Sequence, residues 1–138
     1  MDPIRRVLLG PGRLPEGLRS ALTAEGLLFL EEGLAGSVTY RNFRAPGEHA
    51  KWRKEVVAGA IALTGRRRLV VWAGRFKHID VPLDHPLWAT IEVSSPRPNR
   101  VRFAYDAGAT GAPRSGRVEV SLRTPQAAQV LQFIGAAG

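Results

Sequence analysis

The sequence predicts a mainly β domain, a barrel or sandwich of seven antiparallel strands capped by a C-terminal helix, with a short helix ahead of it. Three observations carry this. From Ser37 onward, apolar residues recur mostly at every second position, the period of a half-buried strand. The runs are separated by turn residues at Gly65, Gly74 and Pro96 to Asn99. Only after Thr124 does the apolar spacing become helical. Seven strands must close up or stack as two sheets to hide their edges, and a terminal helix is well placed to plug the open end.

The elements follow in order. Residues 1–13 read as an irregular arm, because Pro3, Gly10, Pro11 and Gly12 deny it a regular element. Leu14 to Glu25 reads as a helix, with Pro15 in its first turn, Leu18, Ala21 and Leu22 on one face, and Gly26 closing it. Leu27 to Leu30 is a compact apolar run consistent with a strand, and Ser37 to Phe43 alternates. Arg44 to Lys54 is polar and contains Pro46 and Gly47, which predicts a loop. Glu55 to Thr64 predicts a strand with Val57, Gly59, Ile61 and Leu63 on one face. Its other face carries the small Ala58, Ala60 and Ala62, so another layer should pack closely there.

Gly65-Arg66-Arg67 predicts a hairpin turn into a strand over Arg68 to Ala73, and Gly74-Arg75 a second turn into Phe76 to Leu83. Asp84, His85 and Pro86 break the run, and Leu87 to Val93 predicts the next strand. Arg100 to Tyr105 alternates most cleanly, with Val101, Phe103 and Tyr105 inward and Arg100, Arg102 and Ala104 outward. Asp106 to Gly116 reads as a loop, and Arg117 to Arg123 as a strand with Val118, Val120 and Leu122 inward. Thr124 suits an N-cap and Pro125 the first helical position, and Ala127, Val130, Leu131 and Ile134 share a helix face. The expected division is 1–36 as arm and helix and 37–138 as the β domain.

Composition bounds the function. A chain of 138 residues is one domain, long enough to bury roughly 68% of its unfolded surface without metal or disulfide. It has no cysteine, which excludes a disulfide scaffold, a thiolate zinc site and a cysteine nucleophile. No apolar run approaches the ~18 residues of a membrane span, and Val7 to Leu9 is too short for a signal peptide. The expectation is a soluble cytoplasmic protein, with peripheral attachment to the inner face of the membrane as a further option.

There are 20 Lys+Arg and 12 Asp+Glu, a net charge of +8. Arginines outnumber lysines 17 to 3, a bias that a GC-rich coding background produces as readily as selection for bidentate phosphate contacts. Residues 1–37 hold 4 basic and 5 acidic side chains, residues 78–138 hold 6 and 5, and residues 38–77 hold 10 and 2. The whole excess therefore lies in forty residues, which implies a local field.

The strand order resembles the pleckstrin-homology superfold. Gly59-Ala60-Ile61-Ala62-Leu63-Thr64-Gly65-Arg66-Arg67-Arg68-Leu69-Val70 is similar to the second-to-third strand signature of bacterial PH-like and GRAM-like domains: a small-residue strand ending in Leu-Thr, a basic turn, then an apolar strand. Tyr40 to Gly47 and Ile79 to Leu83 resemble flanking segments of that family, and the likeness spans Ser37 to Ile134. It implies a non-catalytic binding module. It also implies that basic residues of the first loop and adjacent strands form a ligand site. Arg44, Lys51, Arg53, Lys54, Arg75 and Lys77 are the candidates for one basic rim, with Trp52 among them as an interface anchor. Glu48 and Glu55 interrupt the rim, and the Lys-Arg spacing of classical lipid-binding members is absent.

Enzymatic signatures are lacking. Gly10, Gly12 and Gly17 do not complete a dinucleotide fingerprint, and neither a phosphate-loop Gly-Lys-Ser/Thr nor a Gly-x-Ser-x-Gly elbow occurs. His78, Asp80, Asp84 and His85 allow a metal site on paper, but they lack the fixed spacing of metal motifs, and a solvated strand face followed by a turn accounts for them. No cofactor is implied. Three readings remain open: a module that binds a protein through a groove or strand edge, one that binds anionic lipid headgroups through the basic rim, and one with weak nucleic-acid affinity. Against each stands an ordinary solvated face, with Trp52 covering the barrel mouth and Trp72 and Trp88 in the core or a groove.

Overall fold

The computed structural model describes residues 12–109 and 113–137. Helix α1 spans Glu16–Glu25. The strands are β1 (Leu27–Ala45), β2 (Glu48–Thr64), β3 (Arg68–Ala73), β4 (Phe76–Pro82), β5 (Glu92–Ser94), β6 (Arg100–Asp106) and β7 (Ser115–Arg123), and helix α2 is Ala127–Ala137. All seven strands belong to one antiparallel sheet in the order β4-β3-β2-β1-β7-β6-β5. The sheet neither splits in two nor closes; it curls into a half-barrel whose free edges are β4 and β5.

The concave side holds the main core. Val38, Tyr40, Val57, Ile61, Leu69, Val71, Val101, Phe103, Val118, Val120 and Leu122 meet there, and α2 covers part of it through Ala127, Val130 and Ile134. Thr124 caps the turn entering α2 by accepting a hydrogen bond from the Gln126 N–H. Phe133 of α2 reaches Phe29 of β1, with ring centroids 6.5 Å apart.

The convex side is covered only locally. Leu14, Leu18 and Leu22 of α1 and the segment before it sit on Ala60 and Ala62 of β2 and Val70 of β3. The alanines of β2 thus have the layer their size calls for. Their small side chains let a helix approach, and burying Leu22 completely contributes about 2 kcal/mol. Arg68 fixes the helix end. Its Nη1 donates to Glu25 of α1 at 2.5 Å, and its Nε and Nη2 donate to Asp80 of β4 at 2.7 and 2.8 Å.

Four expectations need correction. Leu27 to Leu30 and Ser37 to Phe43 are one strand, β1, because Gly33 takes a positive φ of 69° and absorbs an extra residue as a bulge instead of ending the pairing. Arg44 to Lys54 is not a loop. Only Pro46 and Gly47 turn, and Phe43, Arg44 and Ala45 pair with Ala50, His49 and Glu48 in a long projecting hairpin. Polar composition misleads there because both faces of the hairpin tip meet water. Leu87 to Val93 is mostly a 3-10 turn, Pro86–Thr90, since Pro86 starts it and the His85 side chain caps it by accepting from the Leu87 N–H; β5 keeps three residues. The boundary between residues 36 and 37 falls inside β1, where Gly36 pairs with both Val57 and Leu122. Residues 1–11 of the expected arm, and residues 110–112 of the loop after β6, lie outside the described residues.

Candidate functional site

The open side of the half-barrel is a cleft of about 720 Å³. Its floor is Tyr40 and Phe43 of β1 with Val118 of β7, and Tyr105 at the end of β6 forms one wall. Leu87, Thr90 and Ile91, from the 3-10 turn and the residue after it, form a second wall. The remaining wall is β4, from which six consecutive residues, Phe76 to Val81, line the cleft. A strand seen face-on contributes alternate residues, so the cleft runs along the unpaired edge of β4. Phe76 stands at its rim, 64% exposed.

Polar groups are placed at intervals along this apolar lining. His78 Nδ1 and the Tyr105 hydroxyl are 2.7 Å apart, and His78 Nε2 is buried without a hydrogen-bond partner. Burial holds the His78 pKa down at about 4 and raises that of the Tyr105 phenol. Both groups are therefore neutral at pH 7. Arg53 lies over the Tyr40 ring, its guanidinium carbon 4.6 Å from the centroid, and is held by Glu48 at 2.9 Å and Glu55 at 3.2 Å. Arg114 also lines the cleft and pairs with no carboxylate among the described residues.

The six residues expected to form a basic rim do not gather at one place. Arg53 and Lys77 line the cleft, but Arg53 is neutralised by Glu48 and Glu55, and Lys77 by Asp80 at 2.9 Å. Lys54 sits opposite Thr39 on the other face of the sheet. Arg44 and Lys51 are exposed on the projecting hairpin, and Arg75 is exposed in the β3–β4 turn. Trp52, 59% exposed, pairs with Arg41 on the convex face, so it does not cover the barrel mouth. Trp72 packs partly buried near α1, its indole N–H donating to the Gly74 carbonyl, and Trp88 packs on the main core.

His78, Asp80, Asp84 and His85 do not converge either. His78 faces Tyr105, Asp80 is bonded by Arg68 and Lys77, and His85 caps the 3-10 turn; no group of three metal-ligating side chains occurs among the described residues. Burial would raise the Asp80 carboxyl, but the hydrogen bonds from Arg68 and Lys77 outweigh it and hold Asp80 below its ordinary range. The cleft residues that sequence reasoning missed are Tyr105, Tyr40 and Arg114. Alternation marks Tyr105 only as an inward residue and Tyr40 only as part of an alternating strand, and Arg114 lies in a Gly/Ala/Pro loop without a periodic signal.

No helix of the described residues is long and apolar enough to cross a membrane. The chain matches no family model, and neither a curated protein nor a solved structure is significantly similar to it.

Proposed function

We propose that the protein is a non-catalytic binding module that takes an extended peptide segment of a partner protein along the edge of β4. The observation that carries this is the run Phe76 to Val81 along the cleft. An unpaired strand edge offers backbone donors and acceptors to any extended chain. Every second side chain of that chain would then enter the 720 Å³ space beside Tyr40, Phe43 and Tyr105. Main-chain bonds would supply affinity and the cleft specificity. Arg114 favours a peptide with a carboxylate near one end of the bound segment. The resemblance to PH-like domains is in keeping with a binding role, and is itself part of the proposal.

This reading is better supported than binding of anionic headgroups through the basic rim, because Arg53 and Lys77 already have carboxylate partners. It is tested by selecting peptides from a random display library and titrating a selected peptide by calorimetry. Expected are alternating apolar positions, loss of binding on N-methylation at alternate backbone nitrogens, and at least tenfold weakening by Phe76→Ser. Selection that enriches no peptide, or binding indifferent to both changes, would sink the reading.

A further inference from the structure

The convex face of the sheet has a second constellation, independent of the cleft. Helix α1 covers only the corner formed by β2, β3 and the first part of β1, so the outer surface of the rest of β1 and of β7, β6 and β5 has no covering element among the described residues. Strand alternation places Arg41 of β1, Arg117 and Arg123 of β7, and Arg100 and Arg102 of β6 on this surface, with Lys54 of β2 beside them. Two arginine pairs stand directly opposite each other on adjacent strands: Arg41 with Arg117, and Arg100 with Arg123. Like charges in that arrangement destabilise a sheet.

The carboxylates present only partly offset this. Glu119, its side chain 10% exposed, accepts from Arg41 at 2.5 Å and lies 3.8 Å from both Arg102 and Arg117, so three guanidinium groups share one negative charge. Arg117 reaches across Ala104 of β6 to Glu92 at 2.5 Å. Arg100 and Arg123 have no ion-pair partner among the described residues; Arg100 instead donates to the Ser121 hydroxyl at 3.2 Å. Glu119 thus spreads and aims the guanidinium groups without cancelling them. At the end of this field Trp52 exposes its ring beside Arg41, its cross-strand partner.

We infer that the convex face of β1, β7 and β6 binds single-stranded nucleic acid, with Arg41, Arg100, Arg102, Arg117 and Arg123 taking phosphates and Trp52 stacking a base. Guanidinium forks suit phosphate oxygens, and a bound polyanion would relieve the repulsion that the bare face carries. One exposed aromatic next to a cation gives the pairing of base stacking with backbone contact that sequence-tolerant single-strand binding uses. A flat membrane would touch only the crest of this curved surface, whereas a flexible single strand can follow it.

The test is fluorescence anisotropy of a labelled oligothymidylate, with a duplex of equal charge and anionic phosphatidylserine vesicles as comparisons. With about five phosphates engaged, affinity should fall roughly 130-fold between about 50 and 200 mM salt. Replacing both Arg100 and Arg123 with Thr should weaken binding about tenfold at low salt and flatten the salt slope by about 1.4, while the melting temperature is unchanged or higher. Trp52→Ala should weaken the single strand about tenfold and leave any duplex binding unchanged. Three results would each overturn the inference: no binding at about 50 mM salt, tighter binding of the duplex or the vesicles, or a double variant that binds like the parent.

Discussion

The Tyr105 hydroxyl and His78 Nδ1 are 2.7 Å apart, linking the end of β6 to the edge strand β4 across the mouth of the half-barrel. Backbone pairing does not join these two strands: β4 is one end of the sheet order and β6 is next to the other end. The side-chain bond therefore fixes the width of the cleft. The neutral imidazole's tautomer sets the direction of this bond: Tyr105 donates its O–H when the ring proton is on the unpartnered Nε2, and accepts when the proton is on Nδ1.

Stability should depend on pH through His78. Burial opposes its charged form most strongly, and the nearby Ala73 backbone works the other way without reaching hydrogen-bonding geometry at Nε2; the pKa lies near 4 instead of 6.5. Between those values the unfolded chain binds a proton that the native one refuses. The contribution is complete above pH 6.5 and is lost as pH falls toward 4, at up to about 1.4 kcal/mol per pH unit. Urea midpoints for the parent and His78→Gln should converge as pH drops from about 7 to about 5. Parallel midpoints over that range would count against a buried neutral His78.

Arg68 should be a costly residue to remove. It is the shared partner of Glu25 and Asp80, and without it two partly buried carboxylates lose their strongest donor. Because all three side chains keep some contact with water, the cost of Arg68→Met is set below that of a fully buried pair, at about 2 kcal/mol. Arg68→Lys should recover less than half, since an ammonium cannot donate the parallel pair of bonds to Asp80. Asp80 itself, held below its ordinary value of 3.8, contributes stability that is present above that pH and lost as pH falls below it. Denaturant titration of the three proteins at neutral and acid pH checks both statements.

The docking of α1 on the sheet can be measured at Leu22. Its side chain is wholly buried against Ala60, Ala62 and Val70, so Leu22→Ala should cost about 3 kcal/mol. Ala60→Leu should cost about 2 kcal/mol for the opposite reason, overfilling the same contact. If calorimetric unfolding barely shifts in either variant, α1 is not an integral part of the domain.

Two glycines should respond in opposite directions to alanine. A Cβ on Gly59 would press on the Trp72 carbonyl and lie 2.8 Å from the Leu122 side chain, so Gly59→Ala should destabilise by about 2 kcal/mol. Gly17 lies within α1 with open space around it, and Gly17→Ala should stabilise by about 0.5 to 1 kcal/mol. A thermal melt of both variants decides whether crowding or helix propensity governs each position.

The period-2 runs at Arg100 to Tyr105 and Arg117 to Arg123, and the capped helix after Thr124, were legible because the large apolar side chains of each fall on one face, whereas Arg68 to Ala73, buried on both faces, was legible as a short apolar run between two turns. The small face of β2 announced a covering layer, and Leu18 and Leu22 supplied it. The hairpin tip from Arg44 to His49 was illegible for the converse reason: its pairing rests on backbone bonds in a segment mostly exposed on both sides, which leaves no hydrophobic period to read. The short β5 was hidden by Pro86 and the His85 cap, where local turn chemistry overrode an apolar run.

Sequence by itself determined the fold class, the inward set Val101, Phe103, Tyr105, Val118, Val120 and Leu122, and the charge excess in residues 38–77. Tertiary structure alone decided where charge acts. Counted along the chain, residues 78–138 nearly cancel, yet pairing brings Arg100, Arg102, Arg117 and Arg123 beside Arg41 on one surface, while Arg53 and Lys77 of the basic stretch are neutralised by carboxylates. The reason is geometric. Alternation assigns each side chain to a face from local sequence, but which strands lie side by side is set by long-range pairing that burial of the core selects, and electrostatic fields add over neighbours in space.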